Sequence, residues 1–368
     1  MTLAHGGNVY EVASRLGCSP EAILDYSASI NPLGPPPGLW DHIRPSFRRV
    51  EHYPDIHNRG LVQSLADFHT QDPRRVVVGN GSTELIYWLP RAFGLRKALM
   101  VLPAFGEYQR ALEIQDVELY KIFTRPEDNF QPTVEDLEGA MERFSPDALL
   151  LTNPGSPAGT VLPEEVRQWA LERSRKDSFL CVVDEVFVDF CEEESLKGHV
   201  EKLDRLVVIR SMTKFYGVPG LRIGYLFASR KLAERLRGFV PPWSVNTVAQ
   251  VAGEYCLNRP EYRLETLSLI EVERTRMARA LGELPGCRVF PGAANYLLLR
   301  LPETFAPARV LRDDLLASHR VLVRDCSSFE GMDDRYVRLA VRLPEENRKV
   351  LQGIAQWWRG QGKVGGRG

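Results

Sequence analysis

RSMTKFYGVPGLRIGY, Arg210 to Tyr225, is the stretch on which the reading of this chain turns. It comes after the apolar run Leu206 to Ile209, which reads as a buried strand, and it opens with the hydroxyls of Ser211 and Thr213 beside Lys214. Lysine ordinarily sits on a solvated face. Held in a Ser/Thr/Gly/Pro-rich turn between apolar segments, its amine is desolvated, its pKa falls and it becomes a usable nucleophile. Further on, Arg222 supplies an always-charged fork that suits a phosphate, to which Ser211 can also donate. Taken alone, the stretch fits a surface lysine in a loop equally well.

The segment FLCVVDEVFVDF, Phe179 to Phe190, tips the balance. Phe179 to Val183 reads as a fully buried strand, so Asp184 emerges at its carboxyl end, where open α/β sheets bind ligands. A carboxylate there and a lysine beyond the next strand match pyridoxal phosphate: the lysine holds the aldehyde as an imine, and the Asp keeps the pyridine nitrogen protonated. With these residues in view, the chain resembles the fold-type I pyridoxal-phosphate enzymes of the aspartate aminotransferase superfamily. Within them it resembles the branch holding histidinol-phosphate aminotransferases and threonine-phosphate decarboxylases, from His5 to about Trp358.

Composition is consistent with that class. The 368 residues suggest two or so domains, and 44% hydrophobic with 26% charged residues is an ordinary globular balance. A net charge of −1 gives no basic footprint for nucleic acid or anionic lipid. Neither a membrane-length apolar run nor a leader-like start is present in MTLAHGGNVYE, so a cytoplasmic location is expected. The six cysteines show no metal-ligand or paired spacing and read as free thiols.

Outward from the lysine turn, Val76 to Val78 runs into Gly79-Asn80-Gly81-Ser82-Thr83-Glu84 and then an apolar helix. Strand, glycine turn and helix N-terminus make an anion site, which assigns Gly81, Ser82 and Thr83 to the cofactor phosphate together with Ser211, Thr213 and Arg222. The resemblance places Phe105 flat on the pyridine ring, with Tyr108 as a second candidate for the stack. Relatives carry an asparagine where Ser156 stands in NPGSPAG, bonding the cofactor's phenolic oxygen. That task is left here to the Ser156 hydroxyl, a bridging water or Asn153. Phe187 replaces the tyrosine common in aminotransferases, as it does in the decarboxylases.

The resemblance also covers the start of the chain. HGGN (His5 to Asn8) and SASINPLG (Ser27 to Gly34) resemble the HGGN and SANINPLG of threonine-phosphate decarboxylases, and WSVN (Trp243 to Asn246) recurs in them as well. This implies an arm folded over the active site with Gly7, Asn8, Asn31 and Gly34 near the substrate. The tyrosine of Tyr53-Pro54-Asp55 reaches the cofactor phosphate of a neighbouring subunit in this superfamily, which implies a homodimer with shared sites. Arg324 and Arg338, borne on apolar strands, need anion partners. By resemblance they bind the phosphate and carboxylate of a small phosphorylated amino acid, with Arg342 in reserve.

The expected organisation is an N-terminal arm over 1–35, with short helices at Tyr10 to Leu16 and Ser19 to Leu24. A large α/β domain with a mostly parallel sheet occupies 36–243, then an inter-domain helix 244–282. A small α+β domain spans 283–360, its last helix from Pro344 to Trp358, and a disordered tail 361–368. The implied activity is decarboxylation of L-threonine O-3-phosphate to an aminopropanol phosphate for cobalamin. The alternatives are an aminotransferase of the histidinol-phosphate type and a cofactor-binding regulator without turnover.

Overall fold

The computed structural model describes residues 6–176 and 179–364. Seven strands form the large sheet: β1 (Val76–Asn80), β2 (Lys97–Leu102), β3 (Glu118–Phe123), β4 (Ala148–Thr152), β5 (Leu180–Asp184), β6 (Leu206–Ser211) and β7 (Ile223–Ala228). Across the sheet they run β1-β7-β6-β5-β4-β2-β3. β7 is antiparallel to both neighbours, and the remaining pairs are parallel. The central strands β5, β6 and β7 are buried at every position, as continuous apolar runs demand when both faces of a sheet are covered. The edge strand β3 is half-buried and carries Lys121.

Helices Gly81–Phe93, Glu107–Glu113 and Arg230–Arg237 contribute to the core on one face. The other face merges into a larger core shared with a second sheet near the C-terminus. That sheet has strands β8 (Arg288–Val289), β9 (Tyr296–Arg300), β10 (Arg324–Asp325) and β11 (Tyr336–Ala340), in the order β10-β11-β9-β8 and antiparallel throughout. Gly159, after β4, packs against Gly292 and Tyr296 of the second sheet's side; its φ of +81° favours glycine, and a Cβ there would lie 3.2 Å from the Tyr296 ring. This is the fold-type I architecture, a mixed but mostly parallel sheet joined to a small α+β unit.

Three expectations need correction. Residues 19–24 are not a helix: only Pro20–Ala22 forms a 3-10 turn, and Leu24–Asp25 pairs in parallel with Val321–Leu322, because that pairing buries the apolar side chains near it. The inter-domain stretch is two helices, Thr247–Leu257 and Pro260–Gly282, since Pro260 has no N–H to continue a helix yet suits the first turn of a new one. The last helix runs Pro344–Val364, so 361–364 belong to it; no proline interrupts the segment before Gly365, and residues 365–368 lie outside the described residues. Among the described residues, no helix is long and apolar enough to cross a membrane.

Candidate active site

A cavity of about 810 Å³ opens at the carboxyl ends of the large-sheet strands and reaches the small sheet. β5 delivers Asp184, β6 delivers Ser211, and the turn after β6 delivers Thr213 and Lys214; all four line the cavity. Ser82, Phe105, Ser156 and Phe187 line it from the turns after β1, β2, β4 and β5, and Arg324 and Arg338 close the far side. Adjacent strands therefore bring together residues that lie far apart in the chain.

Lys214 sits in the single helical turn Met212–Phe215, capped by Ser211, whose hydroxyl accepts from Thr213 N–H and lies 2.8 Å from the Thr213 hydroxyl. Burial, then the nearby Arg338 and Arg222 guanidinium groups, pull the Lys214 pKa down to about 8, against the opposing pull of Asp184 and Asp25. Asp184 is buried, and burial raises its pKa to about 6; the Val186 N–H at 3.0 Å, Tyr108 and Lys214 oppose that rise. Tyr108 lies behind Asp184, fully buried, with its hydroxyl outside strict hydrogen-bond geometry.

At the wall around Ser82 and Arg222 the turn after β1 and strand β7 pack closely. Gly81 has φ +76°, and a Cβ there would lie 2.4 Å from the Arg222 guanidinium; a Cβ on Gly224 would lie 2.0 Å from the Ser82 nitrogen. These two glycines let the turn, the arginine fork and β7 pack together at a helix N-terminus. Gly81, Thr83 and Arg222 stand around this wall without lining the cavity itself. Together with Lys214 and Asp184 the wall fits pyridoxal phosphate: an anion cradle, an amine of lowered pKa and a buried carboxylate for a ring nitrogen.

Arg324 and Arg338 are direct cross-strand partners on β10 and β11. Arg338 donates to the Ser156 hydroxyl at 3.1 Å and to the Ser27 carbonyl at 3.0 Å, and its Nε is buried without a partner. Arg324 donates to Ser328 at 2.6 Å, and burial, with the facing Arg338 second, lowers its proton affinity. Two guanidinium groups facing each other across neighbouring strands at a cavity wall suit an anion bound there.

Several sequence candidates serve elsewhere. Asn153 is fully buried away from the cavity, its amide donating to the Glu194 carbonyl and accepting from Leu162 N–H, so it is not available to replace the missing asparagine. Asn31 donates to the Phe215 carbonyl, Tyr262 and Thr266 at 2.7–2.8 Å, and its N–H bonds the Lys214 carbonyl; it braces the lysine turn and does not reach the cavity. Gly34 packs against Gly217 in the same brace. Gly7 donates to Ser27, and Asn8 bonds Glu11 of the helix it precedes, so of the HGGN residues described only Gly6 lines the cavity. Arg342 turns to Glu346 in the last helix. Tyr53 is exposed, stacks on Trp243 at 4.5 Å, and does not line this chain's cavity.

Other residues of the site carry no signal in the sequence. Ser27, Ala28 and Ser29 line the cavity, and the buried Ser29 hydroxyl has no protein partner. They lie inside SASINPLG, but nothing local marks a serine as facing a cavity. Behind the site, Arg210 is fully buried among Glu185, Asp189 and Glu192, with nitrogen to oxygen distances of 3.3, 3.2 and 2.6 Å. Because side chains alternate along a strand, Glu185 and Arg210 sit on the opposite face from Asp184 and Ser211.

The sequence matches the model of aminotransferase class I and II over residues 22–354. The chain belongs to that family. Family members work with pyridoxal phosphate, in keeping with the fit of the cavity walls. The chain is 36% identical to the threonine-phosphate decarboxylase of Salmonella typhimurium, over 95% of each chain. It is 34% identical to the histidinol-phosphate aminotransferase of Roseiflexus castenholzii, over 92% of this chain and 91% of that one. Among solved structures, L-threonine-O-3-phosphate decarboxylase from Porphyromonas gingivalis superposes with a TM-score of 0.80 at 27% identity, covering 92% of this chain and 100% of the other.

A lowered lysine pKa in a member of this family has a measurable consequence. Only the neutral amine attacks an aldehyde, so cofactor-free protein should reload pyridoxal phosphate faster as pH rises, about tenfold per unit below pH 8. The rate, measured as growth of visible absorbance, should level off above about 8; a rise continuing to pH 10 would mean an unperturbed lysine.

Proposed function

We propose that this protein is a pyridoxal-phosphate-dependent decarboxylase of L-threonine O-3-phosphate, releasing CO2 and (R)-1-amino-2-propanol phosphate for cobalamin biosynthesis. The observation that carries the reading is the opposed pair Arg324 and Arg338 at the cavity wall across from Lys214 and Asp184: a substrate with both phosphate and carboxylate needs two fixed cations beyond the one serving the cofactor. The similarity to the Salmonella enzyme and Phe187 at the cavity wall support decarboxylation over transamination.

Bound in the cavity, pyridoxal phosphate supplies a protonated ring that takes up the electron pair of the bond being broken. The chain's residues do the rest. Gly81, Ser82, Thr83, Ser211, Thr213 and Arg222 would hold the phosphate, Asp184 would keep a proton at the ring nitrogen, and Phe105 would support the ring, while Tyr108, off the cavity wall, backs Asp184. Ser156, at the cavity wall, accepts from Arg338 and would take the place of the asparagine of relatives beside the phenolic oxygen. Arg324 and Arg338 would grip the two substrate anions and so fix the orientation of the carboxylate that leaves as CO2. Lys214 Nζ would then deliver a proton to the carbon that has given up CO2, a role its lowered pKa supports.

The deciding assay is incubation of the loaded protein with threonine phosphate: CO2 without a 2-oxo acid supports the reading. Faster formation of glutamate from histidinol phosphate and 2-oxoglutarate would establish the aminotransferase instead. The intact Lys214, Asp184 and Arg222 speak against a regulator without turnover.

We also propose a homodimer in which Tyr53 serves the neighbouring site. The exposed Tyr53–Trp243 stack, away from this chain's own cavity, supports it. Mixing inactive Lys214→Ala and Tyr53→Ala subunits should restore up to about a quarter of wild-type activity, because half the chains enter mixed dimers and each of those has one intact site of two. No recovery after verified exchange would refute a shared site.

A further inference from the structure

An ion pair links the small-sheet side of the cavity to the large sheet. Lys121 on the edge strand β3 reaches both carboxylate oxygens of Glu330 at 2.8 Å. Glu330 comes directly after Ser328 and Phe329, and all three line the cavity. Ser328 accepts from Arg324 at 2.6 Å, and the Phe329 ring centre is 5.3 Å from the Arg324 guanidinium carbon. One residue on, Gly331 has φ +88°, and a Cβ there would lie 3.0 Å from the Phe123 ring on β3, so the segment lies close against that strand.

We propose that Lys121 and Glu330 form a latch that holds segment 326–331 against the large sheet and so positions Arg324 for the substrate anion. The inference rests on the reading that Arg324 grips that anion. Lys121 has a second effect through charge. It neutralises a carboxylate at the wall of a cavity whose ligand is anionic, and without it Glu330 would repel the substrate. Both side chains are partly exposed, at 24% and 42%, so the latch weakens with salt and its effect is modest.

The test uses the loaded enzyme with Lys121→Met, with the charge swap Lys121→Glu plus Glu330→Lys, and with Arg324→Ala as reference. Lys121→Met should raise KM for threonine phosphate about fivefold and leave kcat within about twofold. Amide exchange in 326–331 should quicken, and the swap should bring KM and exchange back to within about twofold of wild type. Unchanged exchange in Lys121→Met, or a swap that restores neither quantity, overturns the latch. If Arg324→Ala leaves KM unchanged, the substrate reading fails, and the exchange measurement still decides the latch.

Discussion

Lys214→Ala should abolish borohydride-reducible attachment of the cofactor and cut turnover at least ~10³-fold, since the variant lacks both the covalent anchor and the proton-carrying amine. The surroundings make this residue hard to replace. Its turn is braced by the Asn31 side chain on Phe215 and Tyr262 and by the Asn31 N–H on the Lys214 carbonyl. The variant should therefore fold and keep its melting temperature, because the brace acts through backbone atoms that alanine retains. Persistence of a reducible link in Lys214→Ala would move the anchor to another lysine. Asp184→Ala should retain some cofactor and lose most turnover, since the neighbouring phosphate cradle is intact while the ring nitrogen has no acid partner.

The second large effect concerns Arg338. Replacing it with Ala should lower kcat/KM for threonine phosphate by about 10²–10⁴-fold, the order expected when one partner of a buried charge pair costs about 3–5 kcal/mol. Arg338 sits 8% exposed and also holds Ser156 and the Ser27 carbonyl, so the loss combines substrate grip with a displaced cavity wall. Arg338→Lys keeps the charge without the fork and should recover only part of the activity. The wild-type preference for threonine phosphate over threonine should shrink in the Arg variant that lost the phosphate partner, which assigns each arginine to its anion. Equal decarboxylation of threonine and its phosphate by the intact protein would refute the double-anion reading.

Sequence by itself determined the fold class of this protein and which strand ends meet at the cavity. Apolar runs such as Leu206 to Ile209 and Phe179 to Val183 are local signals, and a strand buried on both faces has no other way to be written. The residues just past each run must then emerge at the carboxyl edge of the sheet, so Asp184, Ser211, Lys214 and Ser82 were legible as site residues before any packing was known. In the second sheet the sequence offered Arg338 and Arg342 alike, and only Arg338 lines the cavity.

Tertiary structure alone decided which of several suitable polar side chains meet the cavity. Asn31 has partners 184, 231 and 235 positions away, Asn153 is satisfied by a carbonyl 41 positions away, and Arg342 is claimed by a helix that begins after it. A buried amide or guanidinium goes to whichever partners the packed chain brings within hydrogen-bond reach, and leaving one unpaired costs about 1–3 kcal/mol. That competition is settled by contacts remote in sequence. The same holds for the serines of the arm and for Lys121 and Glu330, ordinary surface residues in the sequence that meet across two sheets only when the chain is folded.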